Sequence, residues 1–134
     1  MGKIQRLFRG RINRAQWFIG LSLIVAAFVV VGVVQNVLLS ILEDAPSVAL
    51  TLVAPLGLVA LLCLFIVEVS LSVRRFHDIG HSGWKILLAI IPLVNVAVFF
   101  YLAIKPGMTA SNEYGEPPTK RGVFSTVFNA STNV

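Results

Sequence analysis

Three long apolar stretches constrain this chain more than any other feature of its sequence. They cover residues 17–42, 48–73 and 84–104, and together they contain only two charged side chains, those of Glu68 and Lys85. An apolar run of about 18 residues or more is long enough to cross the hydrocarbon core of a bilayer as a helix. Because lipid offers the backbone no hydrogen-bond partners, such a run has to be helical. The sequence therefore predicts an all-α integral membrane protein with three transmembrane helices.

The composition excludes an ordinary soluble domain. Of the 134 residues, 57% are hydrophobic and 13% are charged, whereas soluble domains are about half apolar and a quarter charged. A chain of this length has too much surface for its volume to bury so many apolar side chains in water. The stretch 17–42 is also longer than the apolar region of a secretory signal peptide, about 7–15 residues, so we expect it to be retained as a span.

The distribution of positive charge predicts the orientation. The net charge is +5, and in a membrane protein this reflects the collection of Lys and Arg at cytoplasmic flanks rather than nucleic-acid binding. Segments 1–16 and 73–85 hold eight of the eleven cations, while the turn 43–47 between the first two spans is acidic. We therefore predict a multi-pass protein with a cytoplasmic N-terminus.

The two flanks of the apolar region differ in character. Residues 1–16 alternate cations with apolar side chains, which is typical of a basic amphipathic segment on a membrane surface. Residues 106–134 are rich in Gly, Pro, Ser, Thr and Asn, and predict a loose tail with a local turn at 112–118. We expect one membrane domain over residues 1–118 and a flexible tail over 119–134.

Pro92 and Asn95 lie at the centre of the third stretch and leave two interpretations open. The segment is either a single kinked span, which places the tail outside, or a re-entrant hairpin, which returns the tail to the cytoplasm. Each arm of a hairpin would have about eight or nine residues, too few to cross alone, so we prefer the span. In the second stretch, Pro55 and Gly57 predict a kink. Gly80 and Gly83 predict a break between helices, and Ser82 is the predicted N-terminal cap of the helix that follows.

Two arginine clusters, Arg11 with Arg14 and Arg74 with Arg75, carry the clearest functional signal. Guanidinium groups bind phosphate through paired hydrogen bonds, so the clusters predict a site for anionic lipid headgroups or a membrane partner. The alternative is that they only fix the topology. The predicted binding residues are Arg11, Arg14, Arg74, Arg75, His77, Asp78, Ser82 and Trp84.

Two polar side chains inside the stretches, Glu68 and Asn95, could line a transport path. A carboxylate in a membrane needs a partner or water, so Glu68 indicates either a proton or cation site or an interfacial group paired with arginine. The spacing of His77, Asp78 and His81 is a weak metal signal, and we predict no metal and no cofactor. The lone cysteine in the second stretch can form no intramolecular disulfide.

Three motifs give the chain a family resemblance. The first comprises Phe8, Gly10, Arg11 and Arg14, followed by Trp17 and Phe18. The second comprises Arg74, Arg75, His77, Asp78, Gly80, Ser82, Gly83 and Trp84. The third comprises Pro106, Gly107, Asn112, Tyr114, Gly115 and Pro118. In these the chain resembles the domain-of-unknown-function 805 family of small bacterial inner-membrane proteins, and it departs from the usual pattern at Gln16, Phe76 and Lys85. The resemblance implies a bacterial inner (plasma) membrane location and supplies no activity. If the three motifs form one site, the third must reach the cytoplasmic face, which favours the hairpin.

Three functions are compatible with these features. The preferred one is an interaction or regulatory protein that binds anionic phospholipid or a membrane-protein partner at the cytoplasmic face. The alternative is an oligomeric transporter or channel subunit with Glu68 on the path. A third is an enzyme acting on lipid headgroups through His77 and Asp78, but nothing in the sequence orients a catalytic base, and we predict that the chain is not an enzyme. We also expect a homo-oligomer, because three kinked spans enclose little volume.

Overall fold

A computed structural model describes residues 8–118 of the chain, and they form helices and connecting loops. Helix α1 covers Arg14–Ile41 and helix α2 covers Pro46–Asp78. A 3-10 helix over Gly83–Ile90 and helix α3 over Val94–Ile104 follow. Within this part of the chain there is no β-strand, only an isolated bridge between Asn112 and Gly115.

Helix α1 begins at a reciprocal pair of side-chain caps. The Asn13 Oδ1 accepts a hydrogen bond from the Gln16 backbone N–H at 2.9 Å, and the Gln16 Oε1 accepts one from the Asn13 N–H at 3.0 Å. This arrangement satisfies two backbone donors that a helix start leaves unpaired. Gln16, which departs from the resembled family pattern, therefore has a role that needs an amide or carboxylate oxygen and no charge.

Helix α2 covers the second predicted stretch, residues 48–73, and extends beyond both of its ends. Its first turn, Pro46–Val48, leads into a π-helical segment, Ala49–Val53, and then into a regular α-helix over Ala54–Asp78. The π segment lies just before Pro55, whose ring and missing N–H disturb the preceding turn. The predicted irregularity is therefore present, although its form is a π segment.

Both α1 and α2 are long and apolar enough to cross a membrane. In contrast to a soluble protein, they expose apolar side chains and bury charged ones. Val30 is 61% exposed, whereas the side chain of Arg75 is completely buried. Exposed aliphatic faces of this size on long helices indicate a lipid environment, since they would associate or aggregate in water. The prediction of an all-α membrane protein agrees with this surface.

The structure divides into two compact units. In one, residues 22–68, the Gln35 side chain of α1 lies against Gly57 of α2. In the other, residues 8–21 and 69–118, Trp17 of α1 donates from its ring nitrogen to the Ser72 hydroxyl of α2 at 3.4 Å. Within each unit, α1 and α2 therefore lie next to each other. The single membrane domain predicted over residues 1–118 stays a prediction.

The third apolar stretch does not form the single span predicted over residues 84–104. Ile91 is extended because it precedes Pro92, and Leu93 has a left-handed φ of 69°. The 3-10 helix and α3 therefore pack against each other as the two arms of a hairpin, Gly83–Ile104. At its base the His81 Nε2 lies 2.7 Å from the Tyr101 hydroxyl. The expectation of a span was wrong because it treated Pro92 as a kink, whereas the chain reverses there.

Both flanks also differ from expectation where the structure describes them. Residues 8–13 are not helical, Gly10 has a left-handed φ of 85°, and Ile12 is buried. This part of the segment is therefore an internal strap and not an amphipathic surface helix. Residues 105–118, which we call the C-terminal loop, contain a turn at Asn112–Gly115, within the range 112–118 where a turn was predicted. Residues 1–7 and the predicted tail over 119–134 lie outside the described residues.

Candidate functional site

Arg11, Arg75 and Asp78 form a buried ionic cluster, which we call the clasp. The Asp78 Oδ1 accepts hydrogen bonds from the Arg11 Nε at 3.2 Å and Nη2 at 3.1 Å. The other carboxylate oxygen, Oδ2, accepts a hydrogen bond from the Arg75 Nη1. The side chains of both arginines are fully buried, and that of Asp78 is 2% exposed. The clasp therefore joins residues 67 positions apart in the sequence, the strap before α1 and the end of α2.

The remaining guanidinium donors of the clasp hold the C-terminal loop and the end of α3. Arg11 donates from Nη1 to the carbonyl oxygens of Ala110 at 2.8 Å and Gly115 at 3.1 Å, and from Nη2 to that of Met108. Arg75 donates from Nε to the Leu102 carbonyl at 3.0 Å and from Nη2 to that of Lys105. Such a set of charge-assisted bonds is expected wherever two buried cations share one carboxylate.

The backbone of the C-terminal loop approaches the clasp closely at Gly107. A Cβ atom at this position would overlap with the Asp78 carboxylate, whose oxygens are already fixed by arginine. The Met108 N–H donates to the Asp78 carbonyl oxygen at 2.8 Å. The Pro106-Gly107 pair thus allows main-chain contact with the end of α2, and only a residue without a side chain fits there.

His77 forms a second contact between the same three segments. Its Nδ1 lies 3.3 Å from the Gly10 carbonyl oxygen, and its ring stacks on Tyr114 with centroids 3.8 Å apart and an angle of 2°. The Asn112 side-chain amide donates to the His77 carbonyl oxygen at 2.9 Å. Residues from all three sequence motifs therefore meet within the unit formed by residues 8–21 and 69–118.

His81 lies at the base of the hairpin, outside the clasp. Desolvation lowers its pKa, and the nearby ammonium groups of Lys85 and Lys105 lower it further. At neutral pH the ring is therefore uncharged and can share a hydrogen bond with the Tyr101 hydroxyl. Lys85 lies shortly after His81 in the sequence and Lys105 directly follows α3, so the chain reversal brings these two cations to the same region.

The other predicted binding residues have different environments. Arg14 is exposed and donates to the Ile104 carbonyl oxygen at 3.2 Å. Arg74 is buried, and its carbonyl oxygen accepts a hydrogen bond from the Ile12 N–H. The Ser82 hydroxyl accepts from the Trp84 N–H, which confirms the predicted cap, and the Trp84 side chain is 79% exposed. Ligand binding by these residues stays a prediction.

The two polar residues predicted to line a transport path lie in different helices. Glu68 is half-buried in α2 and Asn95 is exposed in α3. Over residues 8–118 no group of three or more His, Cys, Asp or Glu side chains could hold a metal ion. A transport path, the absence of a metal or cofactor and the absence of an enzymatic activity all stay predictions.

Reasoning from the sequence missed the main partners of the arginines. These are the carbonyl oxygens of Leu102, Lys105, Met108, Ala110 and Gly115. A carbonyl oxygen leaves no signal in residue type, so only the third motif could have indicated this segment. That motif includes Gly107, Asn112, Tyr114 and Gly115, each of which has a specific contact or backbone conformation at this site.

The comparisons with known proteins agree with the three motifs. The model of the family described as "Protein of unknown function (DUF805)" matches residues 7–116, a range that contains every residue of the clasp. The chain belongs to this family. It is also 32% identical over 112 residues to "Inner membrane protein YhaI" of Escherichia coli strain K12 and of Escherichia coli O157:H7, a match that covers 83% of this chain and 85% of each relative. No solved structure matches the chain. The chain is therefore a membrane protein of a family of unknown function, with relatives named as inner-membrane proteins.

Proposed function

We propose that this chain is a small inner-membrane protein that crosses the bilayer twice, through α1 and α2, and binds anionic phospholipid at its cytoplasmic face. The hairpin would enter the membrane from that face and leave it again. The observation that carries this proposal is the set of hydrogen bonds from Arg11 to the C-terminal loop, since it places the segments before α1 and after α3 together.

The charge distribution supports the two-span topology. With a third span, Lys105, Lys120 and Arg121 would lie on the side opposite to the other eight cations. With the hairpin, all eleven follow the positive-inside rule, and the only charges in the turn between α1 and α2 are acidic. The two arms of the hairpin pack on each other, and the exposed residues at its reversal, Ile90, Ile91 and Leu93, are apolar.

The cations differ in exposure: buried ones stabilise the fold, and exposed ones are free to contact lipid headgroups. Arg11 and Arg75 are buried and already bonded to Asp78 and to carbonyl oxygens. Four other cations on the same segments are exposed: Arg9, Arg14, Lys85 and Lys105. Each Lys or Arg near an anionic leaflet adds about 1 kcal/mol of attraction. We therefore assign lipid contact to the exposed set and a structural role to the clasp.

Cysteine labelling tests the topology. In a Cys63→Ser background, single cysteines replace Arg9, Asp44 and Glu116, and intact spheroplasts are treated with a membrane-impermeant maleimide. We expect Asp44→Cys to react from outside, and Arg9→Cys and Glu116→Cys to react only after the membrane is opened. Reaction of Glu116→Cys in intact spheroplasts would restore the three-span topology and contradict the proposal.

Lipid binding is tested separately with the purified chain in neutral detergent. Phosphatidylglycerol should raise the temperature of unfolding more than phosphatidylcholine does, and added salt should reduce the difference because it screens exposed charges. Equal stabilisation by both lipids at low salt would refute the anionic preference while leaving the topology unaffected.

A further inference from the structure

The base of the hairpin carries an apolar groove beside two exposed cations. The groove is open, has a volume of about 430 Å³, and is lined by Ala97, Phe100, Tyr101, Ile104, Lys105 and Pro106. Ligand sites in proteins typically enclose about 300–1,000 Å³. Lys105 borders the groove itself, and Arg14 reaches it through its hydrogen bond to the Ile104 carbonyl oxygen.

We propose that this groove binds a single anionic phospholipid, with one acyl chain along Phe100 and Ile104 and the phosphate between Arg14 and Lys105. The inference rests on the proposed function, because it needs the hairpin base to lie at a cytoplasmic, lipid-facing surface. It goes further in locating one specific site within the general attraction of the exposed cations.

The two cations beside the groove match the phosphate of an anionic phospholipid, and the apolar lining matches its acyl chain. Among the described residues, Arg14 uses one of its five N–H donors for Ile104, so four remain there to bind phosphate oxygens. Lys105 adds a second positive charge, and its backbone is fixed because its carbonyl oxygen accepts a hydrogen bond from buried Arg75. Apart from Lys105, the only polar side chain in the lining is that of Tyr101, and its hydroxyl is paired with His81, so the rest of the lining offers the acyl chain an apolar surface.

The fold creates this juxtaposition, and the sequence spacing does not. Arg14 and Ile104 are 90 positions apart. They meet because the hairpin returns α3 to the start of α1, and the clasp fixes the end of α3 through the carbonyls of Leu102 and Lys105. An unbroken span over residues 84–104 would have carried Lys105 about 30 Å away, across the hydrocarbon core.

The purified full chain in detergent is titrated with an equal mixture of phosphatidylglycerol and phosphatidylcholine. Native mass spectrometry then counts the lipids that each protomer retains. The wild-type chain should retain one phosphatidylglycerol per protomer. The double variant Arg14→Gln/Lys105→Gln should bind it about 30-fold more weakly, which corresponds to about 2 kcal/mol for two cations. The control Lys120→Gln/Arg121→Gln removes the same charge from positions outside the described residues and outside the set assigned to lipid contact, and should retain the lipid.

A second variant tests the groove without any change in charge. Ala97→Trp fills it at an exposed position and should abolish retention, whereas Ala26→Trp, at an exposed position of α1, should not. Equal losses in the two charge variants, or full retention by Ala97→Trp, would overturn the specific site. If salt-sensitive stabilisation by phosphatidylglycerol nevertheless persists, the proposed function stands and only this inference fails. Circular dichroism confirms that each variant is folded.

Discussion

Replacing Asp78 with Asn tests the clasp most directly. The substitution removes the carboxylate that is bonded to two fully buried guanidinium groups, and it keeps the size of the side chain. Asn also presents an NH₂ group where one carboxylate oxygen was, so a donor faces the donor of Arg11 or Arg75. Two buried positive charges then have no counter-charge within the clasp.

The expected cost follows from this geometry. Breaking a buried ion pair by removal of one partner costs about 3–5 kcal/mol, because the remaining charge stays desolvated. That is a large share of the roughly 5–15 kcal/mol that stabilises a typical domain. We therefore expect Asp78→Asn to lower the free energy of unfolding in detergent by about 3–5 kcal/mol, and to release the C-terminal loop from the end of α2.

Two measurements check this expectation. Denaturant unfolding in detergent gives the free energy, and hydrogen exchange at the Met108 amide reports the loop, because that N–H is bonded to the Asp78 carbonyl. The control is Glu116→Gln, which removes one negative charge from an exposed position of the same loop and should change stability by less than about 0.5 kcal/mol. If both variants unfold at the same denaturant concentration, the clasp does not stabilise the fold.

Two further predictions address the loop and the base of the hairpin. Gly107→Ala should increase hydrogen exchange at the Met108 amide, because the new methyl group overlaps with the fixed Asp78 carboxylate. The control Gly32→Ala should leave that exchange unchanged, because a Cβ there meets no heavy atom within 4 Å. Equal exchange in both variants would contradict the close approach of Gly107 to Asp78. In the folded chain the pKa of His81 lies below its ordinary value of 6.5. As the pH falls through 6.5, the unfolded chain therefore binds more protons at this position than the folded chain does, and the free energy of unfolding should decrease. His81→Gln should remove that part of the pH dependence in unfolding titrations between pH 7 and the lowered pKa, and an unchanged profile would show that His81 does not contribute.

The two long helices could be predicted from sequence because their signal is local. An uncharged apolar run of sufficient length has one structural solution in lipid, and α1 and α2 begin and end close to the expected residues. The cap at Ser82 and the turn at Asn112–Gly115 were also predictable, since each depends on residues within a few positions.

The hairpin and the roles of the arginines could not be predicted, because both depend on distant contacts. Pro92 is compatible with a kinked helix, and only packing between the arms and the bonds to the end of α3 select a reversal. Arg11 and Arg14 lie three positions apart, yet one is buried and the other exposed. The difference arises because α1 begins at Arg14, so Arg11 belongs to the irregular strap, where no periodicity relates sequence position to direction.

The long sequence separation within the clasp also has a consequence for biosynthesis. Arg11 is made early, but one of its acceptors, the Gly115 carbonyl, follows 104 positions later. Until the ribosome has released that segment, Arg11, Arg75 and Asp78 cannot all be satisfied, and the incomplete chain must keep them in contact with water. Closure of the loop therefore waits for the synthesis of residue 115, and a nascent chain truncated before residue 105 should present an open polar end to quality-control proteases.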